Sequence, residues 1–256
     1  MPTFDSNGVS IHYVDEGSGP AIVLVHGFAA SLEMNWRAPK IIDALIAAGR
    51  RVVAIDCRGH GESGKPHDPD AYGGTQMADD VIAMMDHVGI DVADLMGYSM
   101  GGALSASLLV RHPERFRSVI LAGIGDSIVT GALLSSARTR GLADAMEAKD
   151  SAATTDATAR GFRVFAERMG ADLGALAAMQ RSSRASFDPA KLATVTLPVM
   201  VLIGEGDTLV GSADKLAAAI PGAKLVKVPG DHLTAVGAPA LKSAVLGFLA
   251  NASPVG

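Results

Sequence analysis

A single cysteine, Cys57, stands in the 256 residues, so no internal disulfide can form and no thiolate cluster can hold a metal. This usage fits a reducing compartment. The seven histidines are scattered, with no His-Glu-x-x-His helix and no Cys-x-x-Cys pair, which removes the familiar zinc-binding spacings. The sequence therefore predicts no metal and no cofactor. Hydrophobic residues make up 48% of the chain, yet much of that is alanine and no run approaches the roughly 18 apolar residues of a membrane span. Membrane insertion is not expected. Basic blocks with interleaved aromatics are also missing, and a net charge of -5 leaves a nucleic-acid backbone nothing to bind. The opening Met1-Pro2-Thr3-Phe4-Asp5-Ser6-Asn7 has neither a basic start nor an apolar core. No secretory signal is read there, and a cytoplasmic protein is expected.

What is present is an alternation of short apolar runs and helical stretches. Ala21 to Val25, Arg51 to Ile55, Leu95-Met96, Ser118 to Leu121, Val199 to Ile203 and Lys224 to Val228 are mostly continuous apolar segments, the pattern of parallel strands covered on both faces. Ahead of them Val9, Ile11 and Tyr13 alternate with polar residues before the turn Glu16-Gly17-Ser18-Gly19-Pro20, which predicts an exposed antiparallel strand. The length suits one large α/β domain. One interval breaks the rhythm. From Asp126 to Pro198 there is no strand pattern but three helical ones, around Ile128 to Ala148, Asp156 to Met169 and Leu173 to Arg184, with a small-residue stretch near Ser151 to Thr158 between them. A single crossover rarely needs so many residues. The expectation is a core of residues 1–125 and 199–256 with residues 126–198 inserted as a helical cap; ordinary crossover helices are the alternative.

Chemistry concentrates at Gly97-Tyr98-Ser99-Met100-Gly101. Asp91 to Met96 reads as a buried strand, while Ala103, Leu104, Ser107 and Leu108 recur at helical spacing until Pro113, so Ser99 falls on a strand-to-helix turn. Such a turn exposes a serine in a strained conformation, and the glycines at 97, 101 and 102 let the helix approach the strand. Serine attacks poorly until a base takes its proton, and the base needs a third group to orient it. Asp207, in Gly204-Glu205-Gly206-Asp207, and His232, in Gly230-Asp231-His232, each follow an apolar strand. The order Ser, Asp, His at three strand ends makes convergence plausible. Asp126 rivals Asp207 for the acid, with Glu205 and Asp231 as adjacent distractors.

Gly59-His60-Gly61-Glu62-Ser63-Gly64 fits the dinucleotide pattern Gly-x-Gly-x-x-Gly, but Pro66, Pro69 and Gly73-Gly74 interpose a loop where a helix should begin. A pyrophosphate needs that helix N-terminus. The segment, with Asp56 and His60, reads instead as a turn that shapes a wall, and Cys57 as inert core.

Together with Val25-His26-Gly27-Phe28 and Asp56-Cys57-Arg58-Gly59-His60-Gly61-Glu62-Ser63, these motifs make the chain resemble the α/β-hydrolase superfamily over nearly its whole length. The resemblance implies an α/β-hydrolase fold, a mostly parallel central sheet with helices on both faces and a helical cap insertion. It implies Ser99 as nucleophile, His232 as general base, Asp207 as orienting acid, and the backbone N–H groups of Phe28 and Met100 as the oxyanion hole. His26 is read as holding the oxyanion loop. Relatives that open epoxides or displace halide carry aspartate where this chain has Ser99, so those activities are disfavoured. The expected function is hydrolysis of small-molecule carboxylic esters with small to medium acyl chains. Carbon–carbon bond hydrolysis or perhydrolysis on the same fold, or a ligand sensor without turnover, are the alternatives. Phe28 and Trp36 are candidates to line the acyl pocket, Trp36 being open also to a core position. Met146, Phe162, Phe165, Met169 and Met179 are candidates for an apolar roof, with packing between helices as the other reading.

Overall fold

In the computed structural model, which describes residues 1–132, 136–185 and 188–255, the apolar runs become strands of a single sheet. They are β1 (Thr3–Ser6), β2 (Val9–Gly17), β3 (Ala21–Val25), β4 (Arg51–Ile55), β5 (Ala93–Tyr98), β6 (Phe116–Ala122), β7 (Val199–Gly204) and β8 (Lys224–Val228). Their spatial order is β1-β2-β4-β3-β5-β6-β7-β8. From β4 to β8 all neighbours are parallel; β2 joins antiparallel to β4 and to β1. The mostly parallel sheet expected from the sequence is the one observed.

Side chains alternate across a strand, and this sends each apolar run into two cores. Val23 and Val25 of β3 pack with Val81, Met84 and Met85 of α2 (Gln76–His87) and with Leu108 and Leu109 of α3 (Met100–Arg111). Ile22 and Leu24, one residue out of phase, pack on the other face with Ile41, Ile42 and Leu45 of α1 (Ile41–Ala47) and Leu241 and Leu249 of α8 (Pro239–Ala252). Burial on both faces is why these strands carry no polar alternation.

At the end of the sheet where β5 begins, a buried charge cluster pins the layers. Asp94 accepts from Arg50 Nη1 at 2.7 Å, Arg117 Nη2 at 3.2 Å and Ser118 Oγ at 2.8 Å. Arg50 in turn donates to the carbonyls of Leu249 and Ser253 at the end of α8. Asp94 and Arg50 are both buried, so each carries the other's charge in a place water does not reach.

Three expectations are corrected. β1 was not expected; it forms a hairpin with β2 through Asn7 and Gly8, both at positive φ of 52° and 78°, the two-residue turn that Asn-Gly favours. The β2 strand is antiparallel as expected, but its middle is not exposed. Ile11, His12 and Tyr13 are buried, because β1 lies along β2 and the His12 ring reaches Asp56 at 2.8 Å. The strand before Ser99 begins at Ala93 rather than Asp91 and runs on to Tyr98, which brings Ser99 directly to its tip.

Between β6 and β7 lie α4 (Ser136–Glu147), α5 (Ala157–Arg168) and α6 (Leu173–Arg181), with no strand longer than one bridging residue among the described residues. Where the helix was expected from Ile128, residues 126–130 form turns; α4 is described from Ser136, and residues 133–135 lie outside the described residues. Asp156 and Asp172 cap α5 and α6 by accepting from Ala159 N at 2.7 Å and Ala175 N at 2.9 Å, satisfying donors that helix starts leave open. Buried Arg163 of α5 donates to the carbonyls of Ala145, Met146 and Ala148 at the end of α4. A cation there closes the helix C-terminus. The third expected helix stops at Arg181, three residues early. A fourth, short helix, α7 (Asp214–Ala218), follows β7. Among the described residues no helix is long and apolar enough to cross a membrane.

Candidate active site

Ser99 sits between the last residue of β5 and the first of α3 with φ 55° and ψ -112°, a conformation that side chains other than glycine rarely hold. The surroundings enforce it. A Cβ on Gly97 would run into the Gly101 carbonyl, one on Gly101 into the Val25 carbonyl, and one on Gly102 would sit 2.7 Å from the Ala122 carbonyl oxygen. The Ser99 N–H donates to that same Ala122 oxygen at 2.8 Å. Three missing side chains thus let α3 begin against the sheet, and the serine is lifted from its edge.

The structure brings Ser99, His232 and Asp207 together. Ser99 Oγ lies 2.8 Å from His232 Nε2, and His232 Nδ1 lies 2.7 Å from Asp207 Oδ2. A carboxylate only accepts, so Nδ1 carries the ring proton and Nε2 is left as the acceptor facing the serine. Asp207 Oδ1 accepts from the N–H groups of Leu209 and Val210 at 3.1 and 3.3 Å, which fixes the carboxylate in the loop after β7. His232 is fixed from behind. The Tyr98 hydroxyl donates to its carbonyl at 2.8 Å, and burial raises the Tyr98 phenol well above its ordinary pKa, so it remains a donor. Asp231, whose carboxylate accepts from Thr234 Oγ1 and the Leu233 and Thr234 N–H groups, folds the turn that carries the histidine. Asp126 is elsewhere: its carboxylate accepts from Leu216 N at 3.0 Å and holds the start of α7.

Opposite the serine runs the loop after β3. A Cβ on Gly27 would lie 3.3 Å from the Ser99 Cβ, so loop and elbow are in contact. The N–H groups of Phe28 and Met100 donate to no acceptor among the described residues. The loop's shape depends on a residue the sequence reading passed over. Asn35 is buried and accepts from Gly27 N at 2.8 Å, and Ala29 completes the reversal at φ 58°. A lone amide between Met34 and Trp36 was the available signal. His26 holds the loop as expected: Nδ1 donates to the Gly27 carbonyl at 2.7 Å and Nε2 accepts from Cys57 N at 3.0 Å. Burial lowers the His26 pKa, in keeping with a neutral ring used as a strut. Burial likewise pushes the Cys57 thiol up, away from nucleophilic thiolate.

The glycine-rich segment is a turn packed behind the loop after β3, and residues 56–64 border neither cavity at Ser99. Asp56 accepts from Leu32 N at 2.8 Å and Glu62 N at 3.0 Å, and a Cβ on Gly61 would overlap its carboxylate. His60 is buried beside His26 and Phe28, with ring centroids 5.2 and 6.0 Å away. Burial, reinforced by His26, lowers its pKa from 6.5 to about 3. The unfolded chain takes up this proton below pH 6.5 whereas the folded chain does not until about pH 3, so stability is complete above that window and falls as the pH descends through it. The expected loss from this one ring is about 2 kcal/mol at pH 5. Urea denaturation at pH 7.5 and pH 5 of the parent and of His60→Asn measures it; identical losses in the two proteins would refute the assignment.

Two cavities meet at the serine. One, of about 380 Å³, runs under α4 to α6 past Met77, Leu104, Ile124 and Leu142; the other, of about 460 Å³, opens past Met34, Phe165 and Leu233. Ser99, His232, Phe28 and Phe162 border both, the two phenylalanine rings meeting edge to face at 5.6 Å. Of the two positions open to Trp36, the structure shows the core one and not the pocket one. Trp36 is fully buried with Leu32, Ile41 and Leu45 on the α1 face of the sheet and borders neither cavity, because the turn over Glu33–Arg37 points it inward. Of the expected roof, Phe162 and Phe165 line cavities, Met146 and Met179 are spent on packing, and Met169 is 45% exposed.

With that geometry in hand, the chain can be set beside known proteins. Residues 20–188 match the family model for the alpha/beta hydrolase fold. The bifunctional epoxide hydrolase 2 of Rattus norvegicus is 38% identical over 112 residues, 44% of this chain but 20% of that protein. The chain matches between 20% and 40% of the length of its curated relatives. Among solved structures, a hydrolase from Pseudomonas aeruginosa PA01 superposes with a TM-score of 0.76 at 27% identity, over 97% of both chains. The enol-lactonase from Burkholderia xenovorans LB400 superposes with a TM-score of 0.72 at 30% identity, over 97% of this chain and 99% of its own.

Proposed function

The chain belongs to the α/β-hydrolase fold family, and within it we propose that it hydrolyses small-molecule carboxylic esters through an acyl-enzyme on Ser99. The observation that carries this reading is the relay from Ser99 Oγ to His232 Nε2 at 2.8 Å and from His232 Nδ1 to Asp207 at 2.7 Å. His232 takes the hydroxyl proton as Oγ bonds to the ester carbonyl carbon. The charge that develops on the carbonyl oxygen faces the Phe28 and Met100 N–H groups, and Asp207 stays ionised beside the imidazolium. The intermediate collapses with loss of the alcohol, which leaves with the proton from Nε2. Water then repeats both steps on the acyl-serine.

The chemistry of serine separates this reading from that of the epoxide hydrolase relatives. A serine that opened an epoxide would form an alkyl ether, which has no carbonyl for water to attack, so the enzyme would not turn over. An ester or lactone gives an acyl-serine that water can cleave. The structural likeness to an enol-lactonase supports the same class. Residues 126–198 act as the cap in this proposal, and the 380 Å³ cavity beneath them suits small to medium acyl groups.

The test is a series of p-nitrophenyl esters from acetate to palmitate, with styrene oxide beside it. The expected result is a maximum of kcat/KM among the short and medium chains and no consumption of the epoxide. Palmitate as the best substrate would overturn the size assignment. Turnover of a vinylogous diketone without any ester would select carbon–carbon bond hydrolysis instead.

A further inference from the structure

The cavity beneath α4 to α6 is mostly apolar and carries an unbalanced charge. Arg138 and Arg184 border it together with Ser99 and His232, and no Asp or Glu does among the described residues. Every other buried or half-buried arginine of the described chain is in an ion pair with a carboxylate, Arg58 with Asp80 and Arg117 with Asp94 among them. The two exceptions fall on one cavity.

Arg184 is held there by its backbone. Gly74 N donates to the Ser183 carbonyl at 2.8 Å and Ala185 N to the Gly74 carbonyl at 2.9 Å, which ties the segment to the loop carrying Tyr72 and Thr75. Its Nη2 donates to Gln180 Oε1 at 3.0 Å, a neutral partner, and burial lowers its pKa to about 10. Burial lowers Arg138 as well, opposed by the charge of Asp156. That carboxylate is not in an ion pair with Arg138, and it caps α5. Burying a cation without a counter-charge is unfavourable, and a guanidinium fork matches a carboxylate through paired, charge-assisted hydrogen bonds.

We propose that the substrates of this site carry a carboxylate on the acyl portion, received by Arg138 and Arg184 in the cavity they share with Ser99. The inference rests on the ester-hydrolase reading for its chemistry, but not for its binding. The substrate class is then the half-esters or lactones of dicarboxylic acids. Gln180 is a positioning residue that keeps the Arg184 guanidinium in place.

The experiment compares p-nitrophenyl half-esters of succinic to adipic acid with the neutral butyrate to hexanoate esters of equal chain length, and reads the ratio of kcat/KM for charged over neutral. In the parent protein the ratio is expected to be about 10 or more, and to fall about tenfold in Arg184→Gln and in Arg138→Gln, with partial recovery in Arg184→Lys. Because both substrates are measured on one preparation, incomplete folding of a variant lowers both rates and leaves the ratio alone. A parent ratio near one, or one that neither substitution moves, would overturn the proposal. If no ester of either kind is hydrolysed, the ester-hydrolase reading fails, and calorimetric titration with adipate decides the anion site separately. Adipate binding weakened by Arg184→Gln would support it, and absence of binding to the parent protein would overturn it.

Discussion

Ser99→Ala is expected to lower kcat/KM for p-nitrophenyl butyrate by a factor on the order of 10⁴ to 10⁶, and His232→Ala by a similar factor. The two groups act as one unit through their 2.8 Å contact, so the double variant should be scarcely slower than either single one. That non-additivity is the sharper part of the expectation. A serine without its base and a base without its serine leave the same residue of catalysis, supplied by substrate binding and the Phe28 and Met100 N–H groups. Steady-state rates of the three variants, with circular dichroism as a check on folding, provide the measurement. Activity of Ser99→Ala within tenfold of the parent would remove this serine from the chemistry. Losses that multiplied in the double variant would mean that His232 acts on something other than Ser99.

The largest effect on stability is expected at the other end of the sheet. Asp94→Ala should cost about 3–5 kcal/mol, the range for removing one partner of a buried ion pair. Arg50 would keep its charge in a buried place, and Ser118 Oγ and one guanidinium nitrogen of Arg117 would lose an acceptor. Replacing both charges, as Asp94→Leu with Arg50→Met, should recover much of the loss, since the penalty lies in the orphaned cation rather than in the absent pair. Urea denaturation gives both values. A cost for Asp94→Ala below about 1 kcal/mol would show that water reaches the cluster and solvates the arginine. Because Asp94 lies near the start of the strand that leads to Ser99 at its other end, kcat measured well below the melting transition should not change.

How far the sequence speaks for itself depends on whether a residue's role follows from its neighbours in the chain. β3 and β4 start and stop where the apolar runs do, because a strand buried on both faces leaves an unbroken apolar trace. β1 left none: four residues with alternating burial look like any polar start, and only Asn7-Gly8 marked the hairpin. Ser99, Asp207 and His232 were legible for a topological reason, since in a parallel sheet the segments after successive strands emerge on one edge. Asn35 was not, because its partner Gly27 is reached by a turn whose geometry no periodicity encodes. Trp36 stayed open between pocket and core for a related reason. An aromatic near the oxyanion loop looks like a pocket wall until the turn at Glu33 sends it to the opposite face. Arg138 and Arg184 stand on different elements, and their shared lack of a counter-ion exists only once the chain is folded.

The positive φ of Ser99 means that the chain is held short of the stability its own fold allows. Glycine adopts that backbone freely, whereas a residue with a Cβ holds it at a cost of about 1–3 kcal/mol. Random substitution guided by stability alone would therefore drift toward glycine at this position and delete the one hydroxyl that the surrounding glycines exist to present. On the proposed function, selection for the hydroxyl is what keeps serine there. If the proposed function holds, the thermodynamic deficit at one turn is a record of use, written into the backbone independently of any substrate.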